Sequence, residues 1–438
     1  MSFNVGLSGL NAANTALNVT GNNIANSATT GFKSSRAEFG DVYANSLFLG
    51  SAKNGVGSGV TTEQISQQFN QGTITNTGAS LDMAINGNGF FMTSDNGARV
   101  YTRAGAFGTD KSGNIVDANN NQLMGYGVDT DGKVVQGVLI PLKVDTSALA
   151  PKPSDSLSET MNLNSSAVAP SVTPFDAKDT NTYNYSFSTD IYDSQGNSHS
   201  LSQYFVKDNT NQWTMYATVD GVNPHDPTST VPYTATLNFS SAGVLGTTSV
   251  GTPTVGAGFT QAANGKFTLT DWVPAAKNAA GVMAANGSAP ADGGLVMNMT
   301  ATTSYNTSSA VTAKDQNGYA TGSLTTLSID GEGNMFGTYS NGKSKTIGQV
   351  VLANFANVQG LTPNGNTGWR ESASSGVPVV GAPQSGTMGT LNAGALEESN
   401  VDLTAELVNL IKAQSNYQAN AKTISTQSTI MQTIIQMT

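Results

Sequence analysis

The sequence predicts a mainly β protein resting on an α-helical coiled-coil base made from its two ends. Three observations predict it. Val401 to Thr438 contains neither proline nor glycine, and Leu403, Leu407, Leu410, Tyr417, Ala421, Ile424, Met431 and Ile435 follow alternating four- and three-residue steps broken at Gln414 and Ser428. Residues 2–26 carry a second such seam through Phe3, Leu7, Leu10, Leu17 and Ile24. From Gly72 onward the chain changes to short apolar runs punctuated by Asn-Gly and Asp-Gly turns, the pattern of antiparallel strands.

Composition narrows the function classes. The 438 residues suffice for about three domains. Only 11% of them are charged, with a net charge of −10 and a pI near 4.6, so no basic face exists for nucleic acid or an anionic membrane. The absence of cysteine excludes disulfides, thiolate metal sites and a cysteine nucleophile, and two histidines give a metal site or catalytic triad little to work with. The N-terminus lacks the basic and apolar regions of a cleaved signal, and no run approaches a membrane span. The expectation is a chain that is soluble or is exported without a cleaved leader.

In order along the chain, the first helix is intrinsically weak. Gly6, Gly9 and Gly21 each cost up to ~1 kcal/mol relative to alanine. Such a helix is expected to order only by packing on the C-terminal one. Asn22-Asn23-Ile24-Ala25-Asn26 then runs into Thr29-Thr30-Gly31-Phe32-Lys33, where Gly31 is placed to end the helix and turn the chain. Residues 34–70, with Phe39, Val42, Tyr43, Leu47, Phe48 and a Gly/Ser-rich run from Gly50 to Gly59, read as a connector packed along something else.

Strands follow. Asp82 to Phe91 reads as strand, turn at Gly87-Asn88-Gly89, and strand, with similar grammar at 101–107 and 122–128. Pro151 and Pro153 mark a boundary. Beyond it Tyr183 to Ile191 and Trp213 to Val219 alternate as half-buried strands, Lys266 to Val273 gives another, and Thr/Ser/Ala/Gly loops such as Ser240 to Gly258 separate them. Leu324 to Asn354 describes successive hairpins turning at Asp330-Gly331-Glu332-Gly333-Asn334 and Asn341-Gly342. Residues 360–395 are Gly-rich and irregular, with Trp369 and Arg370 distinctive. Ser399 with Asp402 three residues on resembles a capping box, and Glu397, Glu398, Asp402 and Glu406 cluster at the positive end of the last helix.

No motif rises to a catalytic, cofactor or metal site. Asp129-Thr130-Asp131-Gly132 lacks the later ligands of a calcium loop, and Gly87-Asn88-Gly89 lacks the third glycine of a dinucleotide fingerprint; both read as turns. His199 and His225 read as surface residues. The seams carry an excess of apolar neighbours, Val5 and Val19 at one end and Val408, Ile411, Ile430 and Ile434 at the other. A simple two-helix hairpin would expose these, so packing against further copies is favoured.

Two runs resemble a known family. NNIANSATTGFK is similar to the N-terminal motif of flagellar rod and hook axial proteins, carried here by Asn22, Asn23, Ile24, Ala25, Asn26, Thr30, Gly31, Phe32 and Lys33. ALEESNVDLTAELVNLIKAQSNYQANAKTI, including Ser399, Asn400, Val401, Asp402 and Leu403, is similar to their C-terminal element. The resemblance implies nested, discontinuous β domains projecting outward: helices at 1–26 and 400–438, connector at 27–71 and 396–399, an inner β domain at 72–146 and 313–395, and an outer one at 147–312. It also implies a self-assembling structural subunit, not an enzyme, forming a curved hollow tube that transmits torque as a universal joint.

Length and the large insertion favour a hook-type over a distal rod-type member; an exported β-rich adhesin or carbohydrate-active enzyme is the distant alternative. Partners implied are further copies of itself, a distal rod protein, a hook cap, a hook–filament junction protein and the flagellar type III export apparatus, with no cofactor, nucleic acid or membrane insertion. The implied location is the extracellular flagellum.

Overall fold

A computed structural model describes residues 2–42, 57–130, 132–251 and 258–437. The connector positions Tyr43, Leu47 and Phe48, most of the 50–59 run, Asp131, and part of the 240–258 loop lie outside the described residues. The chain is mainly strand, with one long helix at each end: α1, Ser2–Ala25, and α2, Leu403–Met437. It divides into two compact units, one of residues 1–146, 325–338 and 343–438, the other of residues 147–324 and 339–342.

In the first unit α1 and α2 pack together. Gly6 lies against Ile424, Gly9 against Asn420, and Asn23 against Glu406, so the helices run antiparallel. The connector forms a hairpin from Ser35–Asp41 and Val60–Gln67. After it the chain is zipped to the segment that leads into α2: Ile74–Asn76 pairs with Ala395–Glu397, and Met83–Asn86 with Thr390–Ala393. The two ends of the chain are thus held together by strands as well as helices.

A sheet of thirteen strands, among the described residues, forms the body of this unit and draws on both 90–141 and 324–381. Its core contains Phe90, Met92, Tyr101, Phe355 and Trp369, with Phe69 packed against it. Trp369 meets Phe69 and Phe90 with ring centroids 5.5 and 5.6 Å apart, and its indole N–H donates to Gln67 Oε1 at 2.5 Å. The Gly-rich 360–395 stretch therefore supplies a core residue that ties down the end of the connector.

The strand, turn and strand read around Gly87-Asn88-Gly89 are present, but the two strands do not pair with each other as a hairpin. Met83–Asn86 and Phe90–Asp95 are both strands but join different partners, Thr390–Ala393 and Ala98–Thr102. Gly87 and Gly89, at φ +107° and +122°, hand the chain from one pairing to the other. The residue types were right for a sharp change of direction, and long-range pairing decided its outcome.

The second unit has two five-stranded sheets sharing one core. One is antiparallel throughout and contains Tyr185–Tyr192, Ser198–Asn209, Gln212–Val219, Tyr233–Phe239 and Leu245–Val250. The other contains Ser156–Asn162, Phe259–Ala263, Lys266–Leu269, Leu295–Asn298 and Ala310–Gln316. Leu157, Met161, Leu201, Phe205, Trp213, Met215, Leu237, Phe267 and Met297 fill the space between them. Strand alternation is clean here because each sheet has one covered face.

Asp110, Asp117, Asp193 and Asp330 build a repeated turn. Each carboxylate accepts the backbone N–H two and four residues on and the side-chain amide of an Asn at the fourth. A carboxylate so occupied is a turn former and has little left for a metal ion.

Candidate functional site

The helical base is built from small residues. Gly6, Ala13, Thr20 and Asn23 are buried on α1, as is Val19, contrary to the expectation that a two-helix pair exposes it, with Gly9, Leu10, Ala16, Leu17 and Ile24 half-buried. On α2 the inward line is Glu406, Leu410, Ala413, Asn420, Ala421, Ile424 and Gln427. A Cβ added at Gly6 would lie 3.0 Å from Ile424 Cγ1, and one at Gly9 2.6 Å from Asn420 Oδ1. These glycines, a cost to α1 in isolation, are what allow α2 to approach. Gly21 has nothing within 4 Å and serves no such purpose.

The helix pair divides the predicted stripe. Leu10, Leu17, Ile24, Leu410 and Ile424 turn partly inward, whereas Phe3, Leu7, Leu403, Leu407, Tyr417, Met431 and Ile435 are exposed in the single chain. Val408, Ile411, Ile430 and Ile434 are exposed beside them, at 46–63%. By the pairing offset, Ser2 falls opposite Gln427 or Ser428, so Thr429–Met437 run past the described end of α1. Between the apolar positions, Ser415, Thr423, Thr429 and Thr433 return their hydroxyls to the carbonyl four residues back. The helix can therefore bury its polar side chains without leaving hydroxyl donors unpaired.

A buried ion cluster joins the base to the β body. Glu397 is fully buried; its Oε1 lies 2.6 Å from Lys33 Nζ and its Oε2 3.0 Å from Arg103 Nη1. Lys33 also donates to Asn70 O, Gly72 N–H to Glu397 Oε1, and Arg103 to Gly87 O. Burial lowers the Lys33 pKa, opposed by the attraction of Glu397. Three segments far apart in sequence meet at one carboxylate.

The polar residues of the two terminal runs hold the start of the connector in place. Asn23 accepts from Ser35 N–H at 2.9 Å and donates to Ser35 O at 2.8 Å, and Asn400 accepts from Ser34 N–H and donates to Gln68 O. Asn22 accepts from the Asn26 amide, and Thr29 donates to Asn26. Gly31 sits at φ +69°, its N–H donating to Glu397 O, and a Cβ there would lie 2.4 Å from Ala104 N. Thr30, Phe32, Ser399 and Val401 are half-buried, while Ala25 is exposed.

Three expectations are corrected. Asp402, not Ser399, caps α2, its Oδ1 accepting from Thr404 and Ala405 N–H at 2.9 and 3.1 Å. Glu397 belongs to the ion cluster rather than to the helix start. His199 is buried between Asp193 and Asp220, because the β topology brings two turns together around it; only His225 is exposed. Arg103 carried no sequence signal for a site. Arg99 in the same run and Arg36 just past Lys33 are exposed, so nothing local distinguishes the two cations that are buried.

From the first helix through the β units to the last helix, descriptions of flagellar axial protein families match in order. "Flagella basal body rod protein" matches residues 3–33, "Flagellar hook protein FlgE/F/G D1 domain" 84–151, "Flagellar basal body protein FlaE D2 domain" 162–319 and "Flagellar basal body rod FlgEFG protein C-terminal" 392–437. Among relatives, the flagellar hook protein of Salmonella typhimurium is 41% identical and that of Escherichia coli 42%, each alignment covering 100% of both chains. That of Treponema pallidum is 32% identical over 99% of this chain and 98% of its own. The chain belongs to the flagellar hook protein family.

Proposed function

We propose that this chain is the structural subunit of a flagellar hook and that it polymerises through the outward half of the α2 stripe. The observation that carries the reading is the division of that stripe: one line is taken up by α1, and a second, from Leu403 to Ile434, faces outward on the same helix. A second copy of the base supplies a surface of the same chemistry. Repeating that contact with a rotation that does not close on itself generates a filament, here a hollow tube lined by helices.

The tube bends because contacts between the β units of neighbouring copies are polar and individually weak, and it carries torque because each copy is joined to its own base through Glu397. Export through a type III apparatus suits a base that orders only on packing. A distal rod protein, a hook cap and a hook–filament junction protein are the expected neighbours at the ends of such a tube. The chain works outside the cell as a structural element with no catalytic role.

The test is the double variant Leu407→Ser/Ile411→Ser. Each truncation removes about 1.5–3 kcal/mol of buried apolar contact from every subunit interface. Sedimentable polymer should fall by at least tenfold while the near-UV signal of Trp213, Trp272 and Trp369 is kept. Normal filaments from this variant would rule out the outward stripe as the contact.

A further inference from the structure

His199 lies on Ser198–Asn209 of the second unit, 4% exposed, with a carboxylate at each ring nitrogen. Nδ1 is 2.7 Å from Asp220 Oδ2 and Nε2 is 3.2 Å from Asp193 Oδ2. A neutral imidazole has one N–H and would turn a lone pair toward one of these anions; only the imidazolium satisfies both. Asp193 is also the meeting point of two distant segments. It accepts from Asn197, and from Asn286 and Ser288 at 3.1 and 2.5 Å. Ser194 N–H donates to Ala289 O, and Ala289 N–H to Ser194 Oγ. The 286–289 segment follows a short hairpin, Ala275–Lys277 with Met283–Ala285, and leads into Leu295–Asn298 of the other sheet.

We propose that Asp193, His199 and Asp220 form a proton-operated latch, holding the 286–289 segment and the short hairpin before it on the edge of the first sheet while His199 is doubly protonated. When the ring loses its second proton, its one N–H stays on the nearer and half-buried Asp220, a lone pair faces the fully buried Asp193, and the relief is for Asp193 to turn to water and release Asn286 and Ser288. The groups facing the ring are Asp193 on the turn after Tyr185–Tyr192, Asp220 on the turn after Gln212–Val219, and the edge of Trp272, 5.2 Å away; the 286–289 segment brings no charge.

The sign follows from both partners. Burial lowers the His199 pKa, but Asp220 and Asp193 outweigh it, leaving it raised; the latch is closed below the ordinary imidazole value and opens as pH rises through the higher one. Burial raises the Asp193 pKa, but hydrogen bonds from Ser288, Asn197 and His199 outweigh it and hold the carboxyl well below its usual range. The closed state therefore persists into strong acid and fails on the alkaline side.

The full-length chain with labelled histidine tests this, since only two ring signals need assignment and a His225→Gln variant assigns them. His199 should titrate above the ordinary value of about 6.5. Amide protection factors at Ser194 and Ala289 should fall about tenfold or more through the same midpoint. Ser288→Ala, which removes a donor from Asp193 and leaves it leaning harder on the ring, should move the His199 midpoint up. A midpoint at or below the ordinary value, protection that stays flat through it, or a midpoint indifferent to Ser288→Ala would each overturn the latch.

Discussion

Glu159 shows how one side chain can set the response of a whole unit. It is 1% exposed, and both its oxygens accept from the Gln203 amide, at 3.0 and 2.9 Å. Burial pushes its pKa up to about 7, against the pull of Gln203 and Lys314. A carboxyl raised in the folded state is protonated there while the unfolded chain has released its proton, so stability falls as pH rises from the ordinary carboxylate range to about 7. Glu159→Gln should abolish that slope, leaving the second unit more stable at pH 7.5 by on the order of 2–3 kcal/mol. Melting of wild type and variant between pH 5 and 8 measures it, and parallel curves would show that Glu159 is already ionised in the fold. Neither Glu159 nor His199 was legible as buried, because in an alternating strand a polar residue on the inward face looks like one that marks the outward face.

At the scale of elements, α1 and α2 were legible as helices with apolar seams, and their residues at the contact were not. The periodicity of leucines and isoleucines draws the eye to the largest side chains, yet the closest approach runs through Gly6, Gly9, Ala13 and Ala413, where backbones can come near. Two long helices pack closest where small residues let them, with Leu10, Leu17, Leu410 and Ile424 beside those contacts and large residues such as Leu407 and Ile411 left for other partners. Gly6→Val tests this division. Its β-branched side chain should drive Ile424 outward and weaken the pairing by about 1–3 kcal/mol, despite better intrinsic helix propensity than glycine. Lower helicity of the base, measured by circular dichroism in the assembled protein, is the expected outcome; unchanged or higher helicity would place the contact elsewhere. Asp402, by contrast, was visible as a capping residue type, and only its exact role relative to Ser399 needed the backbone.

For the whole molecule, the two units have separate cores, one around Trp369 and one around Trp213. A core closed on itself needs no help from the rest of the chain. Residues 147–324 expressed alone should give a folded β protein with a cooperative transition and buried Trp213 and Trp272 emission. An unfolded fragment would show that the second unit depends on contacts with the first. The repeated Asp turns and Asn-Gly dipeptides announced strands throughout, since turn chemistry is local. Which strands pair was not announced, and Met83–Asn86 and Phe90–Asp95 illustrate it: adjacent in sequence, they part company across Gly87-Asn88-Gly89.

The sequence by itself determined the helical ends, the β character between them, the turn positions and the apolar stripe, because helix period, turn chemistry and hydrophobic spacing are properties of neighbouring residues. Only the tertiary structure decided that Lys33, Arg103 and Glu397 share one buried site, that His199 lies between two carboxylates, and which half of the α2 stripe is covered. Those depend on groups up to 383 positions apart coming within hydrogen-bond distance, and no local preference encodes that meeting.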